Sequence, residues 1–462
     1  MLWKNTPDRS IVILYKKNVL QGIEMAKFTF KGGIHPYDGK DLSKDKPIVD
    51  AVPGEEMVYP LSQHIGAPAK PLVKKGDLIL RGQMIAEAGG FVSAPVYSSV
   101  SGIVKNIEKR RVATGDMVES IIIENDGLFN EVEYDAVNDW TELSRDEIIA
   151  RIAKAGIVGM GGAGFPTSVK LSPKEPDKID YIIANCAECE PYLTSDYRRI
   201  IEEGEKVVEG LRIMLSLFPD AHGIIGVEDN KPECIGHLTK LTKKDTIISV
   251  KELKTKYPQG AERQLIFATT GRKVNSKMLP ADVGCIVNNV DTICAIYNAV
   301  VNGKPLMERI VTISGDAVRS PGNMRVPCGM SYTELIDQKG GFKVKPGKII
   351  CGGPMMGFAM FTTDVPVTKT STALLAFRED QVAEAETTPC INCSRCVEAC
   401  PAGLMPGKLS DMVEAHDNEA FVAHGGMECC ECGCCSYACP AKQPLTQNIK
   451  SMRKMELAKR KK

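Results

Sequence analysis

The chain carries no excess charge of either sign, few aromatic residues and no long apolar run. Lys+Arg and Asp+Glu both number 58, and this balance argues against nucleic acid as the main partner, which calls for a basic excess. No stretch nears the roughly 18 uninterrupted apolar residues needed to span a bilayer. Residues 11–15 form one of the longest apolar runs; it is too brief for a signal-peptide core, and no small-residue cleavage site follows it. These absences predict a cytoplasmic protein that meets a membrane only through partners. Histidine is also scarce: the six are scattered, and His35 and His64 lie in loop-like stretches where a structural role is expected. Catalysis by a side-chain acid, base or nucleophile is therefore not expected.

What the chain does have is length, glycine and cysteine. Its 462 residues exceed one ordinary domain and predict three or four modules. Residues 1–24 match no readable domain, and Met25 resembles a natural start. From about residue 49 to 124, short β-type runs alternate with Gly and Pro turns. The pattern Lys74-Lys75-Gly76-Asp77, Gly82-Gln83, Ala94-Pro95-Val96 and Ser101-Gly102-Ile103-Val104 resembles the biotinyl/lipoyl-like sandwich. A carrier domain of that kind holds its prosthetic group on a lysine at a hairpin tip. No lysine lies between Gly82 and Val104, so the module is expected to be structural. Residues 145 to about 305 alternate helical and strand patterns, with helices over 146–155 and 196–218 and strands over 179–184 and 223–227. That rhythm predicts an α/β fold. Residues 308–350 return to short strands, and the segment from Ala383 is cysteine-rich and helical. The basic stretch from Lys450 is expected to be a solvated terminal helix.

Ten of the 17 cysteines fall within residues 390–439. Cys390, Cys393, Cys396 and Cys400-Pro401 have the spacing C-x2-C-x2-C-x3-C-P, and Cys429, Cys432, Cys435 and Cys439-Pro440 repeat it. This is the ferredoxin run, in which three thiolates on a tight loop cap three irons of one cubane and the fourth turns toward a second. Two [4Fe–4S] clusters follow, one on Cys390, Cys393, Cys396 and Cys439, the other on Cys429, Cys432, Cys435 and Cys400. Two four-cysteine zinc sites are the alternative. Cys430 and Cys434 are spare, with packing near the second run their simplest role. Cys234, Cys285, Cys294, Cys328 and Cys351 read as buried thiols. Cys186 and Cys189 form a C-x2-C pair for which a redox role stays open.

A glycine loop, Gly159-Met160-Gly161-Gly162-Ala163-Gly164-Phe165-Pro166-Thr167-Ser168-Val169-Lys170, follows the first of these helices. It lacks both the G-x-G-x-x-G spacing after a strand and a P-loop ending, which disfavours Rossmann and Walker readings. It does resemble the G-R-G-G-A-G-F-P-x-G-x-K motif of the FMN- and NADH-binding subunit of respiratory complex I. Three further segments match that family in order: Asn185-Cys186-Ala187-Glu188-Cys189-Glu190-Pro191, Gly260-Ala261-Glu262, and Val287-Asn288-Asn289-Val290-Asp291-Thr292. The resemblance implies FMN held by Gly159, Gly161, Gly162, Ala163, Gly164, Asn185, Asn288, Asn289 and Thr292. It implies NAD(H) stacked near Phe165, with Lys170, Glu188, Glu190, Gly260 and Glu262 close to flavin and nucleotide. Met160, Ser168, Ala187 and Ala261 depart from the motif, and the last two remove acidic groups near the nucleotide.

The sandwich module, the start at Phe30, a Gly226-Val227-Glu228-Asp229-Asn230-Lys231 segment and two cysteine runs resemble the RnfC family of Rnf ferredoxin:NAD oxidoreductase complexes over residues 25 to about 450. Residues 314–354 resemble its soluble-ligand-binding β-grasp module. The resemblance implies a multidomain α/β protein: an extension (1–24), a barrel-sandwich hybrid (25–130), a flavin-binding α/β core (140–305), a β-grasp module (306–365), a helical two-cluster ferredoxin domain (380–450) and a basic tail (451–462). It implies an electron-transfer subunit, peripheral on the cytoplasmic side of the membrane, that exchanges electrons between NAD(H), FMN, two clusters and the other Rnf subunits, with ferredoxin reached indirectly. A soluble adaptor feeding a substrate reductase and a cluster scaffold without flavin are the alternatives.

Overall fold

The computed structural model describes residues 28–459, so the Met25 start and the 1–24 extension lie outside it. Four units follow one another along the chain. The N-terminal one packs a four-stranded sheet, in the order Glu56–Pro60, Met117–Asn125, Gly102–Arg111, Leu78–Ile79, on a three-stranded sheet of Lys70–Pro71, Met84–Glu87 and Val96–Tyr97. Alternation along these strands turns Met57, Tyr59, Ile85, Val96, Ile121 and Ile123 inward.

The second unit is an open parallel sheet, ordered Ile248–Leu253, His222–Glu228, Tyr181–Cys186, Cys285–Asn289. Continuous apolar runs such as Ile182-Ile183-Ala184 suit strands covered on both faces. The covering helices begin on clear signals. Ser144 and Glu147 form a capping box ahead of Arg145–Lys154, and Asn289 caps Val290–Val301. The long helix Ser195–Ser216 buries Ile200, Val207, Leu211 and Met214 against this core.

Chain order and spatial order differ in one informative way. From Tyr181–Cys186 the chain steps outward to two further strands, then returns to place Cys285–Asn289 on the other side of the first. The order reverses between those two neighbours, and in open α/β sheets ligands bind outside the carboxyl ends of the strands at such a point.

The third unit is a six-stranded mixed sheet, ordered Ile48–Asp50, Gly322–Pro327, Glu308–Ser314, Ala373–Phe377, Lys348–Cys351, Phe358–Met360. It draws strands from beyond the expected 306–365 span on both sides. Its Val311, Ile313, Met324 and Val326 share one apolar core with the N-terminal sandwich. The fourth unit is helical, with Arg395–Ala399, Pro406–Glu414, Asn418–Ala423, Cys434–Ala438 and Leu445–Lys459. From Lys450 the last helix is mostly exposed, as expected of a solvated terminal helix, and it is anchored at its start. Its Ile449 and Met452 are buried with Leu409, Phe421 and Met427, while Met455 and Leu457 further along are exposed.

Candidate functional site

Strand register builds the site. Asn185 lies level with Asn289 and Ala184 with Asn288, so the asparagines of two separate motifs end side by side at the reversal point. The glycine loop closes over them. Gly161 comes so near Asn289 that an added Cβ would sit 2.8 Å from its Cβ, whereas nothing lies within 4 Å of a Cβ at Gly162. Gly164 takes φ +71°, against Thr370 and His64. Met160 donates its N–H to Thr292 Oγ1 at 3.0 Å, which fastens the loop to the helix after Asn289.

Lys170 follows the loop in the short helix Thr167–Lys170; its Nζ donates to Val287 O at 2.6 Å and reaches Glu262 Oε1 at 3.2 Å. Asn185 Nδ2 donates to Gly260 O at 2.8 Å. The loop, Asn185, Gly260, Glu262, Lys170, Asn288, Asn289 and Thr292 thus come together from four segments. Asn288 Oδ1 and Thr167 Oγ1 are buried there without a hydrogen-bond partner. Orphaned acceptors beside an open, glycine-lined cradle fit a polar ring system and its phosphate.

Two acidic candidates have structural partners instead. Glu188 accepts the Asp196 N–H at 2.7 Å at the start of the long helix and lies 3.7 Å from Lys40 Nζ. Glu190 accepts the N–H groups of Met355 and Met356 at 3.1 and 3.0 Å, tying the cradle to the β-grasp sheet, and burial pushes its carboxyl up to about 7. Sequence reading missed Asp196, which accepts from Asn289 Nδ2 at 2.7 Å. Burial, then the charges of Glu188 and Asp291, push its carboxyl up to about 7. It also missed Lys40, whose Nζ donates to Glu190 O at 3.1 Å and whose ammonium burial holds below its usual range. Neither residue stands in a motif. Cys186 is packed in the core, and Cys189 accepts the Gly260 N–H at 3.2 Å.

In the helical unit one cavity is lined by Cys429, Cys432 and Cys435 of the second run and by Cys400 of the first, with the spare Cys430 and Cys434 also on its wall. Cys400 of the first run thus stands beside the cysteines of the second. Among the described residues no three Cys, His, Asp or Glu side chains close on the spacing of a single ion, and the thiols line a cavity instead. Cys390 and Cys393 are exposed, with Cys396 and Cys439 half-buried. The isolated Cys234, Cys285, Cys294, Cys328 and Cys351 are all buried. His64 is likewise structural, its ring bonded to Ile65 O and to the backbone of Ala94.

A parallel-sheet cradle of this make, backed by a cysteine-lined unit, defines a flavin-dependent electron-transfer protein. Residues 152–298 match the Nuo51 FMN-binding domain, 28–128 the RnfC barrel sandwich hybrid domain and 310–359 the SLBB domain. The RnfC component of the proton-translocating ferredoxin:NAD(+) oxidoreductase complex of Clostridium ljungdahlii is 46% identical over 83% of this chain and 84% of its own. Its counterpart in the Na(+)-translocating complex of Acetobacterium woodii is 42% identical over 94% and 98%. The matching component of the ion-translocating oxidoreductase complex of Rhodobacter capsulatus is 38% identical over 92% and 82%. The chain belongs to the RnfC family of ferredoxin:NAD(+) oxidoreductase complexes. No described helix is long and apolar enough to cross a membrane.

Proposed function

We propose that this protein exchanges electrons between NAD(H) and the other subunits of its complex through FMN in the cradle and two [4Fe–4S] clusters in the helical unit. FMN takes two electrons from a nicotinamide and passes them on singly, which lets hydride chemistry meet one-electron carriers. Gly161, Gly162 and Gly164 hold the loop close to the ligand, and Asn185, Asn288, Asn289 and Thr292 supply the polar floor. Lys170 places a positive charge at the pocket and Phe165 offers an aromatic edge to the nicotinamide. The cluster ligands are Cys390, Cys393, Cys396 and Cys439 for one, and Cys400, Cys429, Cys432 and Cys435 for the other. The chain would sit peripherally on the cytoplasmic face, held by integral membrane partners.

The observation that carries this reading is Gly260: its carbonyl binds Asn185 of the cradle and its amide binds Cys189, which packs toward the cysteine unit. The test is anaerobic addition of NADH to the purified chain, followed by absorbance and low-temperature EPR. Bleaching of a flavin band together with two interacting cubane signals is expected. Clusters that answer dithionite but not NADH, with no flavin released on denaturation, would sink the proposal.

A further inference from the structure

A cavity of about 380 Å³ opens where three units of the fold meet, apart from the cradle. Arg81 comes to it from the sandwich, Arg199, Glu203 and Lys206 from the long helix, and Glu308 and Arg325 from the β-grasp sheet. Helix Val290–Val301 adds one face, Asp291, Ala295 and Asn298, at helical spacing. None of Lys170, Asn185, Gly260, Glu262, Asn288 and Asn289 lines it, and of the glycine loop only Met160 reaches its wall. The volume falls within the roughly 300–1,000 Å³ of small-molecule sites.

The wall carries five cationic side chains against three carboxylates, and those carboxylates are already shared. Asp291 pairs with Arg199 and Arg309. Glu203 pairs with Arg199, with Arg325 at 2.6 Å and with Lys206 at 3.4 Å, while Glu308 meets Arg325 at 2.9 Å. Two cations are left over. Lys304 Nζ lies 5.3 Å from the centre of the Tyr134 ring and pairs with no carboxylate among the described residues. Arg81 Nε stands 3.7 Å from Glu131, too far for a hydrogen bond, and Glu131 accepts the Tyr134 hydroxyl at 2.8 Å instead. That Nε is buried and has no hydrogen-bond partner among the described residues. A buried donor left in this way calls for an acceptor.

We propose that this cavity binds a phosphate group, free or as the monoester of a small molecule, with Arg81 and Lys304 as its chief contacts. A phosphate dianion matches the two unpaired cations, and a guanidinium meets its oxygens with two parallel N–H donors. Ile157, Leu306 and Met307 give the same wall an apolar part, which suits the body of an ester. The ligand touches sandwich, flavin core and β-grasp sheet at once, so its binding tightens their junction around residues 302–308.

The test is equilibrium dialysis of the full chain, saturated with FMN, against inorganic phosphate and against AMP at constant ionic strength. Saturable one-to-one binding of at least one probe is expected. Lys304→Met and Arg81→Met should each weaken it about tenfold or more, the worth of a charge-assisted hydrogen bond, with flavin content unchanged. AMP binding tighter than phosphate assigns an ester, and equal affinities assign the free ion. The bound probe should also raise the thermal midpoint of the wild-type chain and slow its proteolysis near residues 302–308. Where Arg81→Met fails to fold, Lys304→Met decides alone. No saturable binding of either probe, or binding that survives the substitutions, overturns the proposal. Binding lost in Lys170→Met but kept in Lys304→Met overturns it too, because the phosphate then sits in the cradle.

Discussion

Lys170 holds the edge of the cradle by two contacts, a neutral carbonyl at Val287 and a carboxylate at Glu262. Lys170→Met keeps the length of the stem and removes the charge. It should weaken FMN retention by about 1.5–3 kcal/mol, the worth of a charge-assisted hydrogen bond, measured by titrating flavin into the stripped protein. Asp196 gives a prediction of the opposite kind. Its folded pKa lies above the unfolded value, so the folded chain binds more protons than the unfolded one between about pH 4 and 7. Stability should therefore fall as pH rises through that window, by up to about 1.4 kcal/mol per pH unit from this group alone. Asp196→Asn removes the term while leaving an acceptor for Asn289. Its thermal midpoint, relative to wild type, should climb from pH 5 to pH 7; a constant difference would show that Asp196 is ionised in the fold throughout.

At the scale of elements, the glycines of one loop divide into two kinds. Gly164 needs φ +71° and has Thr370 Cγ2 at 2.9 Å from a would-be Cβ, so Gly164→Ala should destabilise the fold by at least about 1–2 kcal/mol, seen in thermal unfolding. Gly162 has ordinary φ and open space. Gly162→Ala should fold normally and lose flavin, because the methyl enters the cradle; unchanged flavin content would place the ligand elsewhere. Such elements were legible where pattern and chemistry coincide. The helix expected over 146–155 is Arg145–Lys154, and the strand over 223–227 is His222–Glu228. The edges were not. Ala373–Phe377 is a short apolar run that becomes a strand only because Glu308–Ser314 and Lys348–Cys351 flank it, a pairing no local signal encodes. Glu188 and Glu190 stand in the flavin motif, yet their partners, the start of a helix and the loop at Met355, lie far along the chain or beyond any pattern.

For the whole molecule, the flavin core and the β-grasp sheet are joined by a buried ion network. Asp291, at the start of the helix behind Asn289, pairs with Arg199 of the long helix and with Arg309 of the neighbouring sheet. Burial works against its charge, but the two guanidinium groups outweigh it and hold its carboxyl below the usual range. Asp291→Ala would leave the buried Arg309 without its carboxylate and Arg199 with Glu203 alone, and should cost about 3–5 kcal/mol. Thermal unfolding gives the size of the loss, and faster proteolysis near residues 302–308 would place it at the junction.

The strand Ile48–Asp50 pairs with Gly322–Pro327, so Ile48 waits for Asn323, 275 residues later. At about 5–20 residues per second, that is roughly 14–55 s of synthesis during which the sandwich also lacks the other half of its apolar core. The growing chain therefore spends most of its time on the ribosome with an unpaired edge and an open apolar face. Chaperone capture of nascent chains should accordingly peak before residue 327 emerges.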